Sequence, residues 1–194
     1  GLGDVYKRQQ RGLTETGFAF LAEMERLHMI VDVSHLSDRG FWDIVEHGTR
    51  PFAASHSNCR ALAPHCRNLT DEMIRAMAER GGLVGLNYCS GFLDNQPEES
   101  LCRSTVALMA KHAAHFKKVG GIEIIGLGSD FDGIDGDLEI AGAQDMPKLA
   151  EGLKKEGIPE RVVEKFFTAT PCAFSARTCN ATKIKGEPLC RILN

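Results

Sequence analysis

Two periods of hydrophobicity take turns along the chain. Short apolar runs at 29–34, 52–55, 83–87 and 122–128 stand between longer stretches whose apolar residues recur three or four positions apart. Short runs bounded by turn residues predict buried strands, and the longer stretches predict amphipathic helices. The first helix is expected over 14–27, with Phe18, Leu21, Met24 and Leu27 as its apolar stripe. The second starts at Ser37 as N-cap, turns Phe41, Trp42 and Val45 inward and ends at Gly48. The third starts at Thr70 or Asp71, buries Met73, Ile74 and Met77, and stops at Gly81-Gly82. Further helices are expected over 101–119, over 146–155 and, opened by Pro159, over 159–167.

Strands that alternate with helices predict an α/β fold with a parallel sheet and right-handed crossovers. Four βα units are half of a (β/α)8 barrel, and such a half leaves an open sheet edge. Sequence upstream of Gly12 is therefore expected to complete it.

The first two runs each stop at Ser-His, at Ser34-His35 and Ser55-His56. Ligands and metals sit at the carboxyl ends of strands in α/β sheets. A lone His at a strand end is an ordinary polar rim residue. Two on neighbouring parallel strands stand about 5 Å apart, a spacing that suits zinc. After the last run come Asp130 and Asp132, flanking Phe131. They read as a Gly/Asp turn, or as a rim carboxylate able to deprotonate water and pass the proton to a leaving amine, with Asp130 favoured. Arg67, eleven residues after His56, reads as solvated surface or as a bidentate grip on a substrate carboxylate. His28, His47, His112 and His115 are expected on solvated helix faces or ends, and His65 in a loop.

Composition narrows the classes. The chain has 194 residues, 43% hydrophobic and 25% charged, which fits one globular domain or a piece of a larger one. A net charge of −3 offers no basic footprint for nucleic acid. No apolar run approaches the roughly 18 residues of a membrane helix. The seven cysteines contain no C-x-x-C pair and read as free thiols, so a cytoplasmic location is expected. Residues 1–11 have no periodicity and read as a non-native leader, with the domain proper over 12–167. Residues 168–194 break the texture. A coding string for 168–173, read two bases later, gives Gly-Asn-Ala-Leu-Arg, so this tail is expected to be frameshifted.

The Asp-x-Ser-His block at Asp32 to His35, Ser55-His56-Ser57 with its His 21 residues on, Arg67-Asn68 followed by Asp71, and Gly128-Ser129-Asp130-Phe131-Asp132-Gly133 occur in one order. That ordered set, over about 12–167, resembles the membrane (renal) dipeptidase family, peptidase family M19. The resemblance implies a (β/α)8 TIM-barrel metallohydrolase of which about the C-terminal four βα units are present. It implies a site with two Zn2+ ions that hydrolyses dipeptides through a metal-bridging hydroxide. His35 and His56 would complete the ligands of the second zinc, Arg67 would bind the substrate carboxylate, and Asp130 would be the catalytic aspartate. A dipeptide is the implied substrate and a homodimer the implied assembly. The family's first-strand His-x-Asp pair, bridging Glu and a further substrate-binding His have no counterpart here, so the chain alone is expected to be inactive. The competing readings are another amidohydrolase-like barrel, against which the Asp130-Phe131-Asp132-Gly133 block argues, and a non-catalytic barrel fragment.

Overall fold

A computed structural model describes residues 11–168. Residues 1–10 of the expected leader and 169–194 of the expected tail lie outside the described residues. In chain order the helices are α1 (Glu15–Arg26), α2 (Asp38–His47), α3 (Asp71–Glu79), α4 (Ser90–Leu93), α5 (Val106–Gly120), α6 (Met146–Lys155) and α7 (Glu160–Thr168). The strands are β1 (Ala53–Ala54), β2 (Leu83–Leu86) and β3 (Ile125–Leu127). They form one parallel sheet of order β1-β2-β3, with Ala54 beside Val84 and Leu86 beside Leu127.

Three helices start where expected, after Thr14, Ser37 and Thr70, and side chains cap these and the start of α5. Thr14, Ser37, Thr70 and Thr105 accept the amides of Gly17, Gly40, Met73 and Leu108, which satisfies donors that have no partner inside the helix. The helices then lay apolar faces on the sheet. Phe52, Val84, Leu86 and Ile125 meet Ile74, Met77, Met109 and Phe116 in one core.

Several expectations change. The run at 29–34 is no strand but a single parallel bridge, Asp32 to Ala53, held by Val33 N donating to Ala53 O and Ala53 N donating to Val31 O. Met29 and Ile30 are exposed, so this run lacks the two-sided burial that stabilises a parallel strand. Leu27 is also exposed, leaving Leu21 as the buried member of the α1 stripe. The run at 122–128 splits, because Gly121 at φ 84° starts a 3₁₀ turn over Ile122–Ile124 before β3 begins. The helix expected over 101–119 begins at Val106, after a separate 3₁₀ turn at Glu99–Leu101. α4 forms in what reads as a plain loop. In α2, Ile44 and Asp43 are buried along with Phe41, whereas Trp42 and Val45 are half-buried.

Among the described residues no helix is long and apolar enough to cross a membrane. Cys59, Cys66, Cys89 and Cys102 are free thiols.

Candidate functional site

The chain ends of Asp32, β1, β2 and β3 open onto one rim. The rim depends on two glycines. A Cβ on Gly85 would lie 1.9 Å from the Ser55 carbonyl oxygen, and one on Gly128 would lie 1.7 Å from it. Only glycine at both places lets the backbone at Ser55 fold over β2 and β3, and that fold carries His56 to the rim.

His35 and His56 meet there. Their ring centroids are 4.9 Å apart and their Nε2 atoms 2.9 Å apart. The rest of the network assigns the lone pairs. The Ser55 hydroxyl donates to Asp32 Oδ2. Its oxygen therefore accepts from His56 Nδ1–H, 2.7 Å away, and His56 Nε2 carries a lone pair. Arg67 Nη2 lies 3.3 Å from His35 Nε2. A guanidinium can only donate, so His35 Nε2 also presents a lone pair. Two unprotonated ring nitrogens 2.9 Å apart repel, and a metal cation between them relieves the repulsion.

Electrostatics keep both rings neutral. Burial lowers the His35 pKa first, and the Arg67 charge and His56 lower it further. Burial also lowers His56, assisted by Arg67 and opposed by Asp130 and Asp32. Neutral imidazole is the form that binds zinc. For Asp32, burial alone would raise the carboxyl. The hydroxyl and amide of Ser55 and the amide of Ser34 outweigh it and hold the carboxyl below its ordinary value. A charged Asp32 is what fixes the Ser55 hydroxyl, and through it the His56 tautomer.

Arg67 is buried, 4% exposed, and not solvated. Its Nη1 donates to the Ser34 carbonyl, and its guanidinium lies 5.4 Å from the centre of the Phe92 ring. Asp130 stands three residues beyond β3, in the left-handed region at φ 67°. Asp tolerates that region better than most residues, and such outliers gather at functional sites. Asn87, just past β2, donates from Nδ2 to Asp130 Oδ2 at 3.1 Å and bonds the His56 carbonyl. Asp132 is exposed.

Two histidines expected in solvent are structural. His112 is 1% exposed. Its Nδ1 accepts Cys59 N at 3.0 Å, and its Nε2 donates to Leu93 O at 3.0 Å. His115 pairs with Asp71 at 2.7 Å. His65 is half-buried and packs on Phe92 with centroids 4.6 Å apart. Asp32, Ser55 and Asn87 are the site-supporting residues that sequence reasoning left without a role. Ser55 and Asn87 share a signal, a polar side chain closing an apolar run, and Asp32 is the charged residue inside its run.

Among the described residues, one group of three close ligand atoms lies elsewhere, at Asp43, Glu46 and His47. Asp43 is already engaged by Leu13 N and Arg39.

Comparison with known proteins gives a consistent picture. Residues 3–169 match the family model described as membrane dipeptidase (peptidase family M19). A Klebsiella pneumoniae protein described as an uncharacterized protein in the pqqA 5′ region is 36% identical over 158 residues, covering 80% of this chain and 57% of that protein. The crystal structure of the dipeptidase AC, a metallopeptidase of family M19, superposes with a TM-score of 0.79 at 32% identity, covering 88% of this chain and 50% of that one. A metallopeptidase from Rhodobacter sphaeroides, liganded with a phosphinate mimic of the dipeptide L-Ala-D-Ala, superposes with a TM-score of 0.78 at 33% identity, covering 87% of this chain and 48% of that one. The chain thus spans about half the length of these three relatives.

Proposed function

The chain belongs to the membrane dipeptidase family, peptidase family M19, and on that premise we propose that it forms the C-terminal half of a (β/α)8 barrel dipeptidase, carrying part of a zinc-dependent site. The close approach of the unprotonated Nε2 atoms of His35 and His56, 2.9 Å apart, carries this reading. The donor set fits zinc: neutral imidazoles, with one tautomer fixed by a carboxylate acting through a hydroxyl. Zinc, when bound, supplies a Lewis acid for the scissile carbonyl and for a water nucleophile.

The remaining work falls to this chain's own groups. His35 and His56 hold the metal. The Arg67 fork takes the free carboxylate of the dipeptide, and its buried setting strengthens that charge pair. Asp130 accepts the proton of the attacking water and delivers it to the leaving amine. Asn87 orients the Asp130 carboxylate. The other zinc of the implied pair is proposed to need the family's first-strand His-x-Asp pair and bridging Glu. The assembly is proposed to be a homodimer and the location cytoplasmic.

Two measurements test this reading. The 194-residue chain is expected to bind zinc in a competition titration with a chromogenic chelator. Asp32→Asn should weaken that binding by roughly 10–100-fold, the usual effect of losing the partner that orients a metal-bound histidine. An affinity unchanged in His56→Ala would remove the proposed metal site. The same chain is expected to release no amino acid from L-Ala-L-Ala. A protein carrying this segment together with the first-strand ligands should release it in a zinc-dependent way. Failure of that longer protein on every dipeptide in a panel would sink the dipeptidase reading.

A further inference from the structure

We propose that Arg60 is a positioning residue for Arg67, clamping the carbonyls on either side of it so that the Arg67 guanidinium stays aimed at the strand-end site. The inference rests on the reading of Arg67 as the residue that takes the substrate carboxylate. Arg67 lies on the loop between β1 and α3, and loops of this kind are usually mobile. Here the loop is bound from within. Arg60 Nε donates to the Asn68 carbonyl at 2.7 Å, and Arg60 Nη2 donates to the Cys66 carbonyl at 2.9 Å. Cys66 and Asn68 are the immediate neighbours of Arg67.

The other side of the Arg60 fork faces the start of α2. Nη1 donates to Asp38 Oδ2 at 2.6 Å and Nη2 to Asp38 Oδ1 at 2.8 Å. Asp38 is the first residue of α2 and lies three positions after His35. The clamp thus ties the Arg67 loop to the segment that carries His35. Arg67 closes the same circuit on its inner side by donating to the carbonyl of Ser34, the residue before His35. A planar guanidinium can make these four bonds in one plane, whereas a lysine ammonium is a point charge without the fork. Arg60 itself touches neither histidine in the contacts described, so its effect passes through Arg67.

The test is hydrogen exchange by NMR on the full 194-residue chain, read at the Arg67 Nε–H, which is assigned by its loss in Arg67→Lys. In Arg60→Gln that proton is expected to exchange at least about tenfold faster, while core amides at Ile74, Leu86 and Phe116 change by less than about threefold, the signature of local rather than global opening. Arg60→Lys, which keeps the charge and loses the fork, should behave like Arg60→Gln. An unchanged Arg67 proton, an equal acceleration throughout the core, or full rescue by Arg60→Lys would each overturn the proposal. A separate arm follows the Arg67 Nε–H shift on adding N-acetylglycine or N-acetylglycinamide. If the native chain does not prefer the carboxylate, the substrate role of Arg67 fails, while the exchange result still decides whether Arg60 positions it.

Discussion

Asp130→Asn, made in a protein that carries this segment with the first-strand ligands, is expected to lower kcat for dipeptide hydrolysis by roughly 10²–10⁴-fold, the range a positioned acid–base group contributes. The substitution isolates the proton function. Asn matches the volume of Asp and is tolerated at the positive φ that Asp130 adopts, 67°. Its amide oxygen can still accept from Asn87 Nδ2, which now bonds Asp130 at 3.1 Å, so the side chain keeps its place. What it loses is the capacity to take a proton from water and return it to an amine. Zinc affinity and KM are therefore expected to hold while kcat falls. Asp132→Asn supplies the contrast: that side chain is exposed and its activity should stay within about twofold of native, as for surface changes remote from the chemistry. An Asp130→Asn enzyme within tenfold of native would remove Asp130 from the catalytic role and return the turn to an ordinary Gly/Asp connection.

The proximity of His35 and His56 was legible in the sequence because it follows from the lateral spacing of parallel chains. Two apolar runs that end in Ser-His, laid parallel side by side, place their rings about 5 Å apart, and the single Asp32–Ala53 bridge is enough to hold the centroids at 4.9 Å although the first run forms no strand. The starts of α1, α2 and α3 were legible for an equally local reason, since a Ser or Thr cap acts within three residues of itself. What was hidden depends on distant partners. Asp32 gains its meaning from Ser55, 23 residues away, and Asn87 from Asp130, 43 residues away. Arg67 looked solvated because nothing local shows that Ser34 and Phe92 enclose it. The strand over 29–34 failed for a related reason: apolar composition marks a capacity for burial, and Met29 and Ile30 remain exposed. His112 is different, because the signal was present. Met109, His112, Ala113 and Phe116 share one face at helical spacing, and all four are buried.

That buried histidine sets the second large expectation, a loss of stability in mild acid. Burial pushes the His112 pKa down from 6.5 to about 4, with the nearby His115 adding to the shift and the Leu93 carbonyl opposing it. The bonding explains the direction. Nδ1 already accepts the Cys59 amide, so a proton there would set one donor against another inside the core. In the unfolded chain the ring titrates near its ordinary value. Between pH 6.5 and pH 4 the unfolded state therefore binds more protons than the folded one. The stabilisation is fully present above 6.5 and is lost as the pH falls toward 4. Two and a half pKa units correspond to about 3 kcal/mol in all, of which about 2 kcal/mol is gone by pH 5. For a domain of this size that is a large share of the total stability. Urea unfolding at pH 7 and pH 5 measures it. His112→Gln lowers stability at both pH values but cannot titrate, so its drop between them should be smaller than the native drop by about 2 kcal/mol. His35 and His56 are lowered in the same direction and remain in both proteins, so their share cancels in the comparison. Equal drops in the two proteins would show that His112 is not the acid-sensitive group. Because His112 anchors Cys59, at the head of the loop that ends in Arg67, the loop should open first. The acid transition followed at Arg67 is then expected at a higher pH than the transition of the sheet.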